Sequence, residues 1–286
     1  MVKRLMINQR TIRNEVRLEG VGVHSGKPVR LTLRPSEGGK ILFRRPDLGG
    51  LETAVDPGRV EALNSTTIVG RRFKVRTVEH LLASLFAFGV NSLIVELDAD
   101  EIPILDGSAL PFVQALEEAG LPPFAGNSPA LRIRRPFAVE DNGASIVAEP
   151  APAGEGLWLS YTIEYPHPSI GRQGRGLYLT PETFAGEVAP ARTFGFIRDV
   201  EALRGRGLAL GASFENTVVL DSERIMNGPL RFPDEFVRHK LLDLAGDLAL
   251  LGRPIVGRFT AHRAGHRLHL QAVRFLLNNP DVWTEA

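Results

Sequence analysis

The chain has 286 residues, enough for two domains of ordinary size, and its 43% hydrophobic and 23% charged residues are the composition of a globular protein. A formal net charge of +1 argues against a nucleic-acid binder, which carries a basic excess, but leaves room for a local basic pocket that takes an anionic small molecule. There is no cysteine, so disulfides, thiolate catalysis and cysteine-type zinc sites are excluded, and His, Asp and Glu remain as the strong metal ligands.

The opening MVKRLMINQRTIRNEV turns polar too early for a signal peptide, and no stretch approaches the roughly 20 apolar residues of a membrane helix, so a cytoplasmic protein without an integral membrane segment is expected. From Gln9 to about Asp56, alternating stretches such as VRLTLRP and KILFRRP predict a β-meander. Within it, GVGVHSG (Gly20 to Gly26) lacks the G-x-G-x-x-G spacing and the βαβ surroundings of a dinucleotide loop, and His24 reads first as a surface turn residue. Thr77 is placed as the cap of a helix, TVEHLLASLFAFG, with Val78, Leu81, Leu82, Leu85 and Phe86 at helical spacing. Glu79, His80, Ala83 and Ala87 share its other side, where small alanines leave room for a neighbouring element or a ligand. A strand, NSLIVELD, follows, and then EIPILDGSALPFVQALEEAG, with a turn at Asp106-Gly107, Ser108 as a helix cap and Pro111 in the first turn.

LPPFAGNSP, Leu121 to Pro129, interrupts the periodicity on both sides and divides the chain into domains 1–125 and 126–286. Beyond it the order of elements repeats: strands, a helix from Asp234 to Gly252, the strand PIVGRFT and a helix in HRLHLQAVRFLL. The expected fold is α+β, two domains of related topology, each a sheet layered with helices. If the helix layers face each other, His80 and His239 meet in the cleft between the domains, where pockets commonly lie. An additional piece, Ala189 to Ala212, carries Phe194, Phe196, Ile197, Leu203, Leu208 and Leu210, and local packing that shelters them is its first reading.

The helix DEFVRHKLLDLAGDLALLG places Leu241, Leu242, Leu244, Ala245, Leu248, Ala249 and Leu251 on one arc and His239, Lys240, Asp243, Gly246 and Asp247 on the other. His239 and Asp243, one turn apart, project from one face and could hold a single ion, although such pairs are ordinarily solvated. Gly246 on that face signals a close approach, since glycine costs a helix about 1 kcal/mol against alanine. His80, His239 and Asp243 would supply the three ligands of a catalytic zinc with an open position. Glu79 points about 100° away from His80, so it suits a general base acting on an activated water rather than a ligand. His266 is the candidate acid, and at a helix start that role requires a carboxylate partner such as Asp247. Thr193 could donate to an oxyanion or simply end a strand, and Lys240 could meet an anionic group of the substrate.

The segments GVGVHSG, TVEHLLASL, NSLIVELDADEIPILDGSALPF, ARTFGF, FVRHKLLDLAGDL and AGHRLH, in this order from about Gly20 to His269, resemble the UDP-3-O-acyl-N-acetylglucosamine deacetylases, zinc enzymes of bacterial lipid A synthesis. The resemblance implies two facing α+β domains with the site in the cleft, and Zn2+ (or Fe2+) on His80, His239 and Asp243. It implies Glu79 as general base, His266 as general acid or fixed cation oriented by Asp247, and Thr193 supporting the oxyanion. Phe194, Lys240 and His24 would lie near the UDP-linked acylated amino sugar, and the piece beginning at Ala189 would form the acyl-chain passage, which overturns its reading as local packing. Some relatives carry cysteines in the loop that here reads LNSTTI, Leu63 to Ile68. No nucleic-acid or obligate protein partner is expected. The other readings are a zinc amidohydrolase for a different acylated amino sugar or a peptide, and a metal-free sugar-nucleotide binding protein.

Overall fold

The computed structural model describes residues 6–285. Its elements in chain order are β1 (Met6–Arg10), β2 (Val16–Val21), β3 (Pro28–Pro35), β4 (Ile41–Arg45), β5 (Leu51–Ala54), β6 (Val60–Ala62), β7 (Thr66–Val69), β8 (Lys74–Val75), α1 (Glu79–Ala87), β9 (Leu93–Leu97) and α2 (Leu110–Ala119). There follow β10 (Pro123–Pro129), β11 (Leu131–Ile133), β12 (Phe137–Asp141), β13 (Ala144–Glu149), β14 (Leu157–Tyr165), β15 (Gly171–Tyr178), the single turn α3 (Pro181–Thr183), β16 (Phe194–Phe196), α4 (Ile197–Gly205), β17 (Val218–Leu220), α5 (Glu235–Leu248), β18 (Ile255–His262), α6 (His266–Asn278) and β19 (Trp283–Glu285).

The fold is α+β, and the order strands, helix, strand, helix does recur. In the first half β3 alternates, with Val29, Leu31 and Leu33 buried between outward residues, and Phe43 of β4 and Leu93, Val95 and Leu97 of β9 bury the same face of a five-stranded sheet. Each such side chain contributes roughly 1.5–3 kcal/mol on burial. The sheet runs β2-β3-β9-β4-β5, so the expected meander is broken: β9 enters between β3 and β4, antiparallel to one and parallel to the other. In the second half β18 is the centre of a seven-stranded sheet, antiparallel to β13 and parallel to β14 and β11. Leu157, Leu159, Tyr161 and Ile163 alternate along β14 and face the core.

Helices α1 and α2 cover the first sheet, α5 and α6 the second, and α1 packs on α5, which gives sheet, helices, helices, sheet. The polar arc of α5 is therefore not a solvated face. Its His239, Asp243, Gly246 and Asp247 are buried along with its leucines, because α1 covers one side and β14 and β15 the other. The segment read as a boundary, Leu121 to Pro129, is largely the strand β10, antiparallel to β1. Thr77 does not cap α1. It has a φ of 56°, Val78 precedes the helix without a side-chain cap, and the Thr77 hydroxyl donates to Glu101 at 3.0 Å. Ser108 accepts the amide of Leu110 at 3.2 Å but is not the cap either: Ala109 holds that position without a side-chain cap, and Pro111 lies in the first turn of α2. No helix among the described residues is long and apolar enough to cross a membrane.

Candidate metal centre

The α1–α5 contact exists because position 246 has no side chain. A Cβ at Gly246 would overlap the carbonyl oxygen of Glu79, so the two backbones touch and the first turn of α1 lies against the last turn of α5. This brings His80 to His239, ring centroids 5.0 Å apart and nearly perpendicular. Asp243 Oδ1 lies 3.5 Å from His239 Nε2 and 4.0 Å from His80 Nε2, and the three side chains are 3% to 5% exposed. The expected meeting of the two histidines is thus a feature of the fold.

These three residues could hold a metal ion, with one donor atom from each within 4.8 Å of the others. The protonation states suit a cation. Burial lowers His80 to about 3 and His239 below its ordinary value, so both imidazoles are neutral. Burial would raise Asp243, but the charged Lys240 and His266 outweigh it and hold the carboxylate ionised. His239 Nδ1 lies 3.1 Å from the carbonyl of Ala191, which sets the tautomer and leaves Nε2 with its lone pair. His80 Nδ1 is buried without a hydrogen-bond partner. Lys240 donates to the second oxygen of Asp243 at 2.7 Å, and its ammonium stands 5.6 Å from the centre of the Phe194 ring.

Beside this group lies an acid–base cluster. Glu79 Oε2 accepts the amide of Thr66 at 3.0 Å, and Glu79 Oε1 is 3.7 Å from His266 Nε2. Burial pushes Glu79 up to about 7, against the pull of His266. Burial would lower His266, but Asp247 and Asp243 carry it to about 10. Its Nδ1 is 2.7 Å from Asp247 Oδ2, so the carboxylate partner that the position of His266 at a helix start demands is present.

Three members of this cluster were not singled out from the sequence. The Thr66 hydroxyl donates to Asp247 Oδ1, so Thr66 contacts both Glu79 and Asp247. His269 Nδ1 is 2.7 Å from Asp247 Oδ2, and the Tyr161 hydroxyl lies 3.1 Å from His269 Nε2. The spacing of His266 and His269, i and i+3 on one helix, was a usable signal for the second; Thr66 and Tyr161 have no local signal, since strand pairing and helix packing bring them in.

A cavity of about 570 Å³ opens from this cluster. Glu79, His80, His239, Lys240, Asp243 and His266 form its polar end, Thr193, Phe194 and His24 line its wall, and the far end is apolar, with Phe196, Ile197, Leu203 and Phe214. Thr193 is fixed at both backbone groups, its amide to Gly107 and its carbonyl to Val218, both at 2.8 Å. The preceding Arg192 is tied to buried Glu235 in the first turn of α5, which accepts the Arg192 amide and guanidinium at 2.9 Å and the Arg231 amide. The segment from Ala189 to Ala212 shelters only part of its apolar residues: Ala189 and Ala191 are buried and Phe194 and Phe196 pack against the core, whereas α4 buries none and Ile197 and Leu210 are exposed. Ile197 and Leu203 line the cavity, and Leu210 faces solvent.

An α+β scaffold that presents two neutral imidazoles and a carboxylate at the polar end of a half-apolar cavity, with a second carboxylate and a charged histidine alongside, defines the chemistry of a metal-dependent hydrolase. Comparison with known proteins narrows the class. Residues 9–278 match the family described as UDP-3-O-acyl N-acetylglycosamine deacetylase. The UDP-3-O-acyl-N-acetylglucosamine deacetylase of Oleidesulfovibrio alaskensis is 43% identical over 97% of this chain and 91% of its own. Those of Nitratidesulfovibrio vulgaris (43%, over 98% of this chain and 91% of the relative) and Thermodesulfovibrio yellowstonii (40%, over 94% and 91%) are similarly close. The chain belongs to this deacetylase family and is a hydrolytic enzyme.

Proposed function

We propose that the chain removes the N-acetyl group of UDP-3-O-acyl-N-acetylglucosamine, an early step of lipid A synthesis, giving acetate and the free 2-amine. The observation that carries this reading is the joining of His80, His239 and Asp243 with the Glu79–His266 pair at the polar end of a cavity whose other end is apolar. Zn2+ held by those three side chains supplies Lewis acidity toward the acetyl carbonyl and toward water, and Fe2+ suits the same donors.

Glu79 takes a proton from the attacking water at its free oxygen, Oε1, while Oε2 stays fixed by the Thr66 amide. His266 carries the proton that the leaving nitrogen needs on Nε2, with Asp247 holding Nδ1 and the ring orientation. The Thr193 hydroxyl donates to the oxyanion, and its fixed backbone keeps that donor in place. The sum is one water and one amide converted to one acetate and one amine. Lys240, Phe194 and His24 contact the substrate around the sugar and its polar head. The segment 189–212 receives the 3-O-acyl chain, and its apolar lining of the cavity supports that role. In this reading residues 1–125 and 126–286 act as two α+β units with the site between α1 and α5.

Elemental analysis of purified wild type and Asp243→Ala, with deacetylase turnover measured on the same samples, tests the reading. About one zinc or iron per chain, lost together with turnover in the variant, is expected. Turnover that survives metal removal would take the metal out of the mechanism, and a metal-free protein that stays inert when zinc is restored would point to a sugar-nucleotide binding protein instead.

A further inference from the structure

Glu101 lies in NSLIVELDADEIPILDGSALPF, has no part in the chemistry above, and is completely buried. Its carboxylate accepts three hydrogen bonds: the amides of His24 (2.9 Å) and Ser25 (2.8 Å), and the hydroxyl of Thr77 (3.0 Å). No Lys or Arg side chain among the described residues forms an ion pair with it, so these donors carry the stabilisation of a buried charge. Segments bound in this way cannot separate without stranding that charge, which makes the junction stiff.

The three donors belong to two different walls of the site. Thr77 leads directly into α1, which carries Glu79 and His80, and its left-handed backbone (φ 56°) lets the chain turn from Arg76, bridged to Glu101, into the helix. His24 and Ser25 belong to the 22–26 turn, on which the end of the 189–212 segment is seated. The amides of Leu210 and Gly211 donate to the carbonyls of His24 (3.1 Å) and Val23 (3.0 Å), and the amide of Ala209 reaches His24 Nδ1 at 3.4 Å. The seating is backbone against backbone: a Cβ at Gly211 would overlap the Gly22 carbonyl, and a Cβ at Gly26 would come within 3.2 Å of Leu210. Gly22 is required at the same junction, because a Cβ there would overlap a carboxylate oxygen of Glu101.

We infer that Glu101 is a positioning residue that sets the distance between the helix bearing Glu79 and His80 and the cavity wall that Ala209 and Ala212 line on either side of the seated Leu210 and Gly211, and so governs how the enzyme holds the acyl chain. The inference rests on the assignment of that wall to the acyl chain. Glu101→Gln replaces one acceptor oxygen with an amide that faces donors, and so releases at least one of the three bonds. Gly22→Ala leaves the carboxylate intact and displaces it from the turn.

The test measures kcat and KM for the 3-O-acylated substrate and for UDP-N-acetylglucosamine, metal content, and hydrogen exchange at the Leu210 and Gly211 amides, in the wild type and both variants. Each variant is expected to raise KM for the acylated substrate roughly tenfold, the effect of one lost buried hydrogen bond, with kcat and metal content close to wild type. The Leu210 and Gly211 amides are expected to exchange faster while those of α5 do not. Wild-type KM together with unchanged exchange in Glu101→Gln overturns the inference, as does a fall in kcat accompanied by metal loss. If the wild type handles the acylated and unacylated substrates alike, the acyl assignment fails by itself, and the exchange measurement still decides whether Glu101 couples the two walls.

Discussion

The carbonyl oxygen of Glu79 occupies the space that a Cβ of residue 246 would need. Gly246→Ala must push α1 and α5 apart, and overpacking of this kind costs about 1–3 kcal/mol, more than the roughly 1 kcal/mol that alanine returns through helix propensity. Lower stability and weaker metal binding are expected together, because His80 and His239 sit on opposite sides of the contact. Competition with a chelator checks this: unchanged metal affinity would show that the helix spacing does not set the ligand geometry.

Glu79→Gln keeps the shape of the side chain and removes its basicity. Metal content is expected to stay at the wild-type level while kcat falls by about 10²–10⁴. Turnover near that of the wild type would remove Glu79 from the mechanism.

Protons compete with a metal for the same imidazole nitrogen, and burial lowers His80 from 6.5 to about 3 and His239 in the same direction. Bound metal is therefore expected to persist as the pH falls to about 5, below the range in which solvated imidazoles take up protons. Dialysis across a pH series followed by elemental analysis reads the midpoint. Half of the metal lost near pH 6.5 would mean that the two rings are hydrated.

Glu235 has a carboxyl held below its usual value of 4.5: burial would raise it, but the Arg192 guanidinium and amide and the Arg231 amide prevail. A carboxylate depressed in the folded state adds stability above its unfolded pKa and loses that contribution as the pH falls through its folded value. Glu235→Gln is expected to cost about 1.5–3 kcal/mol near neutrality, and the gap from wild type should close below pH 4.5. Urea midpoints at neutral and acid pH measure it, and a gap independent of pH would assign the effect to packing.

The site was legible in the sequence where its parts are local. His239 and Asp243 one turn apart, Gly246 one turn further on, Glu79 about 100° from His80, and His266 after a glycine with Asp247 as its carboxylate partner are read from helical geometry and local chemistry, whereas the choice between an oxyanion donor and a strand end at Thr193 needed the ordered motifs. What sequence could not supply was pairing over distance. The place of β9 between β3 and β4 depends on pairings between residues about 50 to 65 positions apart, and Thr66 reaches Asp247 across 181 positions. Thr77 shows the same limit on a small scale: its residue type suits a cap, but the buried carboxylate of Glu101 draws the hydroxyl away and the backbone follows.

Helix α4 forms part of the cavity and buries none of its residues. Substitutions along it therefore leave the core almost undisturbed, whereas substitutions along α1 or α5 disturb core and chemistry at once. Under the proposed function the labour is divided in a way that favours diversification: the part that would measure the substrate can drift, lengthen or change its side chains generation by generation while the proposed reacting groups and the framework beneath them stay the same.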